Sequence, residues 1–134
     1  MDVATALAEL AAAGSEQTRK TYLRHGAPEP LFGVSFAALG ALTKRVRVDH
    51  DLALGLWATG NTDARTLAAM VADPARLDEV TADAWASSCR YHTVSDLVAA
   101  LVARAPIAID RMAQWVASPD EYVARCGWGV MANL

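Results

Sequence analysis

The densest run of reactive side chains is Cys89-Arg90-Tyr91-His92-Thr93-Val94-Ser95-Asp96. On a helix, Cys89, His92 and Asp96 would fall at i, i+3 and i+7, on roughly one face. A thiol, an imidazole and a carboxylate so placed would suit a cysteine hydrolase, with the imidazole taking the thiol proton. The competing reading is a small buried cysteine beside a half-exposed histidine. Catalytic triads generally assemble from distant segments, and this stretch straddles a helix boundary, so the competing reading is preferred. Elsewhere, the two cysteines (Cys89 and Cys126) and three histidines are scattered, whereas a structural zinc site wants four ligands in paired clusters. No metal is expected. The glycines stand singly and follow no strand, so neither a phosphate-cradling loop nor a nucleotide cofactor is expected.

The basic residues carry a second possibility. Arg19, Lys20 and Arg24 share one helix, and Lys44, Arg45 and Arg47 close the next. Arg65, Arg90, Arg104, Arg111 and Arg125 fall near later helix ends. In a curved stack of helical hairpins, residues at one end of each hairpin line up along one edge. A row of arginines there would track a phosphate backbone. Ordinary surface charge, favoured near helix C-termini, explains the same positions. The formal net charge of −3 argues against a surface that is basic throughout, while leaving room for a local basic patch.

These side chains must be positioned by helices. The chain has 134 residues, the size of one domain spanning 1–134. Its 54% hydrophobic content is rich in alanine and leucine, which lose little side-chain freedom in a helix. No alternating run of β-branched and aromatic residues supports a strand. Gly14, Gly26, Gly60, Pro28, Pro30 and Pro74 punctuate the chain, and Ser15, Ser35, Asp49, Thr81 and Ser118 are read as helix caps. Thr93 or Ser95 would begin a helix with Val94, Leu97, Val98, Leu101 and Val102 on one face, and Pro106 would open the next. About nine helices with short connections predict antiparallel hairpins. Trp57, Trp85 and Trp115 recur at intervals of 28 and 30 residues, the kind of period a helical solenoid shows. The expected fold is therefore all-α, an α-α superhelix of stacked hairpins. The start of the chain has no secretory pattern and no apolar run reaches membrane length, so the cytoplasm is the expected compartment. The last helix, with Val123, Cys126, Val130 and Met131, looks ready to meet another element, as in a fragment or in a homo-oligomer joined through this helix.

Several segments resemble the DNA alkylation repair family of AlkD-like glycosylases, built of HEAT-like helical hairpins. They are Tyr22-Leu23-Arg24 followed by Leu31-Phe32-Gly33-Val34; Leu56-Trp57 with Ala64-Arg65 and Ala68; and Trp115-Val116-Ala117-Ser118 with Val123-Ala124-Arg125-Cys126. The resemblance runs from about residue 20 to the end, and it implies that the C-terminal part of the family's fold is missing. The family excises positively charged N-alkylated bases, such as 3-methyladenine and 7-methylguanine, from double-stranded DNA, and would associate with the nucleoid when bound. Laid on this chain, the second acid of its Trp-Asp-x-x-Asp motif falls on Asp96, the tryptophan on His92 and the first aspartate on Thr93. Its phosphate-contacting arginine falls on Arg125.

The resemblance thus implies Asp96 as the catalytic carboxylate. An alkylated base is already a good leaving group, so a fixed carboxylate beside the sugar needs only to stabilise the positive charge that develops as the glycosidic bond breaks. His92, Tyr91, Arg90, Arg125, Arg65, Lys44 and Arg45 form the implied substrate- and DNA-binding set, aromatic faces holding the cationic base or sugar and basic groups the phosphates. No cofactor is implied. Histidine at position 92 departs from the pattern, since it lacks the broad face of tryptophan and, once protonated, would repel a cationic base. Three functions follow: a glycosylase using Asp96, a family member that binds DNA structures without chemistry, and a helical scaffold for protein partners.

Overall fold

The computed structural model describes every residue from Met1 to Leu134, all helix and connecting loop. The chain divides into two compact units, Met1–Ala72 and Asp73–Leu134. The first holds α1 (Val3–Ala13), α2 (Glu16–Arg24), α3 (Phe36–Val46), α4 (His50–Ala58) and α5 (Thr62–Val71). The second holds α6 (Glu79–Ser88), α7 (His92–Ala103), α8 (Ala108–Trp115) and α9 (Glu121–Asn133). The helix count and the absence of strands are as the sequence predicts.

Local chemistry sets most boundaries. Ser15, Ser35 and Asp49 cap α2, α3 and α4 as expected, each side chain accepting a first-turn N–H. Each such cap stabilises a helix by about 1 kcal/mol. Two caps move. Asp78, not Thr81, caps α6: its carboxylate accepts from the Thr81 N–H, so the threonine receives the cap. Asp120 caps α9, accepting from Tyr122 and Val123, while Ser118 Oγ accepts the Asp120 N–H. α7 opens at His92 with Tyr91 in the cap position and no side-chain cap bond. Pro106 precedes α8 by two residues instead of opening it.

In the first unit, the Asp49 N–H donates to the Val71 carbonyl at 2.8 Å, which joins the start of α4 to the end of α5 and makes the pair antiparallel. Leu52, Leu56, Ala64, Leu67 and Val71 fill its core. Asp63, in the first turn of α5, is 1% exposed. Its carboxylate accepts the backbone N–H groups of Phe32, Gly33 and Val34, so one buried charge holds the whole entry to α3. Such an anion is tolerated inside because three donors replace its water.

In the second unit, α7 is covered by α9. Asp96 faces Arg125 and Ala99 faces Gly129, so the two helices run in the same direction. Val94, Val98, Leu101 and Val102 of α7 and Val123, Cys126 and Val130 of α9 are buried. α9 also crosses α8 at very short range: a Cβ on Gly127 would stand 2.6 Å from the Val116 nitrogen. Trp57, Trp85 and Trp115 are all buried, so the recurring tryptophans are core pegs at the ends of α4, α6 and α8. Met131 lies outside this core, exposed with Trp128 and Leu134 on the outer face of α9.

Candidate nucleic-acid interface

The second turns of α7 and α9 bring together the two residues singled out as carboxylate and phosphate contact. Arg125 Nε donates to Asp96 Oδ1 at 2.8 Å, and Arg125 Nη2 donates to Asp96 Oδ2 at 3.0 Å. Both side chains are about half exposed, 50% for Arg125 and 52% for Asp96. The hydrogen bond to Asp96 is the largest cause holding the Arg125 pKa above its ordinary value. A guanidinium carries five N–H donors, and this side-on pairing leaves three of them free.

A depression of about 260 Å³ adjoins the pair, lined by His92, Glu121, Tyr122 and Arg125. His92 is exposed, with its ring edge-to-face against Tyr91 at 4.8 Å between centroids. Glu121 and Tyr122 belong to the start of α9 and carry no sequence signal beyond that of a helix N-terminus.

The other expected contacts are placed differently. Tyr91 is 7% exposed, so its ring is core and offers no open face to a base. The helix boundary explains this: the residue entering α7 turns inward as the chain passes over the end of α6. Arg90 is exposed, but its Nη1 donates to the carbonyls of Ser87 and Cys89, completing the C-terminal end of α6. Arg65 donates through Nε to the Trp57 carbonyl and lies over the Trp57 ring at 4.9 Å, a cation–π contact. Arg45 is tied to both oxygens of Glu9 at 2.6 and 2.8 Å. Lys44 is exposed without an ion pair, as are Lys20, Arg24 and Arg47. Among the expected set, Lys44 therefore presents its full charge to solvent.

Arg111 leaves the row of basic candidates altogether. It is 6% exposed, and its Nη1 meets both Asp83 oxygens at 2.9 and 2.8 Å, with Glu79 at 3.4 Å from Nη2. Asp83 also accepts from Trp115 Nε1 at 2.8 Å. Sequence reasoning could not find this cluster, because its members are about thirty residues apart and no local pattern links them.

Beneath the exposed pair lie the two cysteines, both buried. Cys126 Sγ sits 3.6 Å from the Ser95 carbonyl, one residue before Asp96. Its hydrogen bond with the Cys89 thiol, followed by burial, pushes the Cys126 pKa up. Cys89 is 1% exposed with its thiol donating to the Trp85 carbonyl, and Asp96 is held by Arg125, so the Cys89–His92–Asp96 arrangement is not assembled. No group of three or more His, Cys, Asp or Glu side chains is placed to hold a metal ion. No helix is long and apolar enough to cross a membrane.

The family described as DNA alkylation repair enzyme matches residues 6–134. No curated protein matches the chain. One solved structure, described as a new family of proteins related to the HEAT-like repeat DNA glycosylases with affinity for branched DNA structures, superposes with a TM-score of 0.92 at 38% identity. The match covers 98% of this chain and 56% of the other, so this chain spans little more than half the length of its structural relative. With nearly its whole length matched by the family and its helices superposing on a HEAT-like relative, the chain belongs to the DNA alkylation repair enzyme family.

Proposed function

We propose that the protein binds DNA through phosphate contacts, with a preference for branched over regular duplex DNA, and releases no base. The carrying observation is the state of Asp96. In the free protein both of its oxygens are taken by Arg125, and the histidine at the family's tryptophan position leaves a carboxylate that DNA uncovers without that broad aromatic face. The neighbouring aromatic position is filled by an exposed histidine in place of tryptophan, and the tyrosine beside it is core. The description of the 38%-identical relative, with its affinity for branched DNA structures, points the same way. Phosphate binding is supported by the free donors of Arg125 and by the unpaired Lys20, Arg24, Lys44 and Arg47.

The second reading, excision of N-alkylated bases by Asp96, is favoured by one observation: the carboxylate is half exposed next to an open depression. Two measurements separate the readings. Binding to a four-way junction and to duplex of equal length, titrated with salt, should show tighter junction binding that weakens steeply as salt rises. Free methylated base should not rise above the spontaneous rate under single-turnover conditions on N-methylated duplex. Base release that disappears in Asp96→Asn would establish the glycosylase instead. Absence of salt-dependent binding to either DNA would leave the protein-scaffold reading.

A further inference from the structure

We infer that Asp96 is an internal competitor for phosphate, holding Arg125 in a masked state that DNA must displace or share. This rests on the proposal that Arg125 meets a DNA phosphate. A carboxylate and a phosphate present paired oxygens to the same guanidinium edge in the same two-bonded geometry. Arg125 spends that edge, Nε and Nη2, on Asp96. The same side chain also lines the adjoining open depression, where an incoming anion would approach it. A second carboxylate, Glu121, stands exposed on the wall of that depression and adds to the negative field an anion would meet. His92, exposed on the same wall, is the other basic group there.

Exposure makes the mask exchangeable. Both partners are about half in water, where an ion pair is weak and screened. The pair is therefore strong enough to occupy the guanidinium in the free protein and weak enough to yield to a polyanion. An approaching phosphate first meets a neutral pair, and a full cation only after exchange.

The test uses the intact chain with duplex and four-way-junction DNA, followed by anisotropy across a salt series. Asp96→Asn, Arg125→Gln and the double variant are compared with wild type. Asp96→Asn should bind both DNAs about two- to five-fold more tightly at low salt, the range set by the strength of an exposed pair. Its log–log salt slope should steepen by up to about one. Arg125→Gln should bind more weakly, and the double variant should bind no more tightly than Arg125→Gln alone. Unchanged thermal melting of each variant controls for folding. The inference is overturned if Asp96→Asn binds like wild type or worse, or if its gain survives in the double variant, which would trace it to overall charge. If wild type and all variants ignore both DNAs at low salt, the DNA-binding proposal itself fails, and the masking role with it.

Discussion

Arg111 meets Asp83 at 2.8 and 2.9 Å, and Arg125 meets Asp96 at 2.8 and 3.0 Å, yet the two pairs sit in different surroundings. The Arg111 side chain is 7% exposed and Arg125 is 50% exposed. In the first pair, the guanidinium has left water and depends on Asp83, with Trp115 Nε1 sharing the same carboxylate. In the second, water competes for every donor. Distance alone would call the pairs equivalent. Desolvation makes one an anchor of the α6–α8 packing and leaves the other a surface contact available for exchange.

The comparison breaks most sharply at Asp83. Asp83→Ala leaves a buried guanidinium with only Glu79, at 3.4 Å, and strands the Trp115 indole N–H. Asp83 is itself half exposed, so the cost is that of leaving buried donors without a partner, about 2 kcal/mol. Urea unfolding followed by tryptophan fluorescence should show an unfolding free energy lowered by that amount. A loss under about 1 kcal/mol would mean that burial does not separate the pairs.

Cys126, next in sequence to Arg125, tests burial without a charge partner. Its thiol pKa is raised, first by its hydrogen bond with Cys89 and then by burial. The folded chain therefore keeps this proton, while the unfolded chain releases it above about pH 8.5. The unfolded state then binds fewer protons, so stability is fully present below that pH and falls above it, by about 1.4 kcal/mol per pH unit. Denaturant midpoints measured between about pH 8 and pH 9.5 should show this slope, and Cys126→Ala should reduce it.

The exposed pair gives the smallest change in stability. Asp96→Asn and Arg125→Gln should each shift unfolding by less than about 1 kcal/mol, while changing DNA affinity in opposite directions. Stability losses as large as that of Asp83→Ala would make the pair structural.

Much of this molecule is legible from its sequence where the cause is local. Helix propensity, punctuation and first-turn acceptors lie within a few residues of one another, so nine helices and the Ser15, Ser35 and Asp49 caps can be read directly. Thr81 misleads because a threonine and an aspartate three residues apart both suit a cap, and only backbone conformation decides between them. Resemblance to a family singled out Asp96 and Arg125 one by one, but their pairing was not legible, since nothing in the sequence joins positions 29 residues apart. The Asp63 clasp and the Arg111 cluster leave no such trace. An acid in a first turn and an arginine on a helix look like ordinary surface residues until the fold buries them. Tyr91 shows the converse: it lies between two exposed candidates, Arg90 and His92, and one step of helix entry turns it into the core.

Gly127 and Gly40 give a last consequence, for how this protein can change over generations. At Gly127 any side chain would strike the backbone of α8, and the helix that would have to retreat also carries Arg125 two residues away. At Gly40 a Cβ would meet nothing within 4 Å, in the middle of α3. One glycine is a fixed letter of the text and the other a spelling the lineage is free to revise. In a saturation library selected for folded protein, position 127 should return as glycine alone. Position 40 should fill with alanine and other strong helix formers.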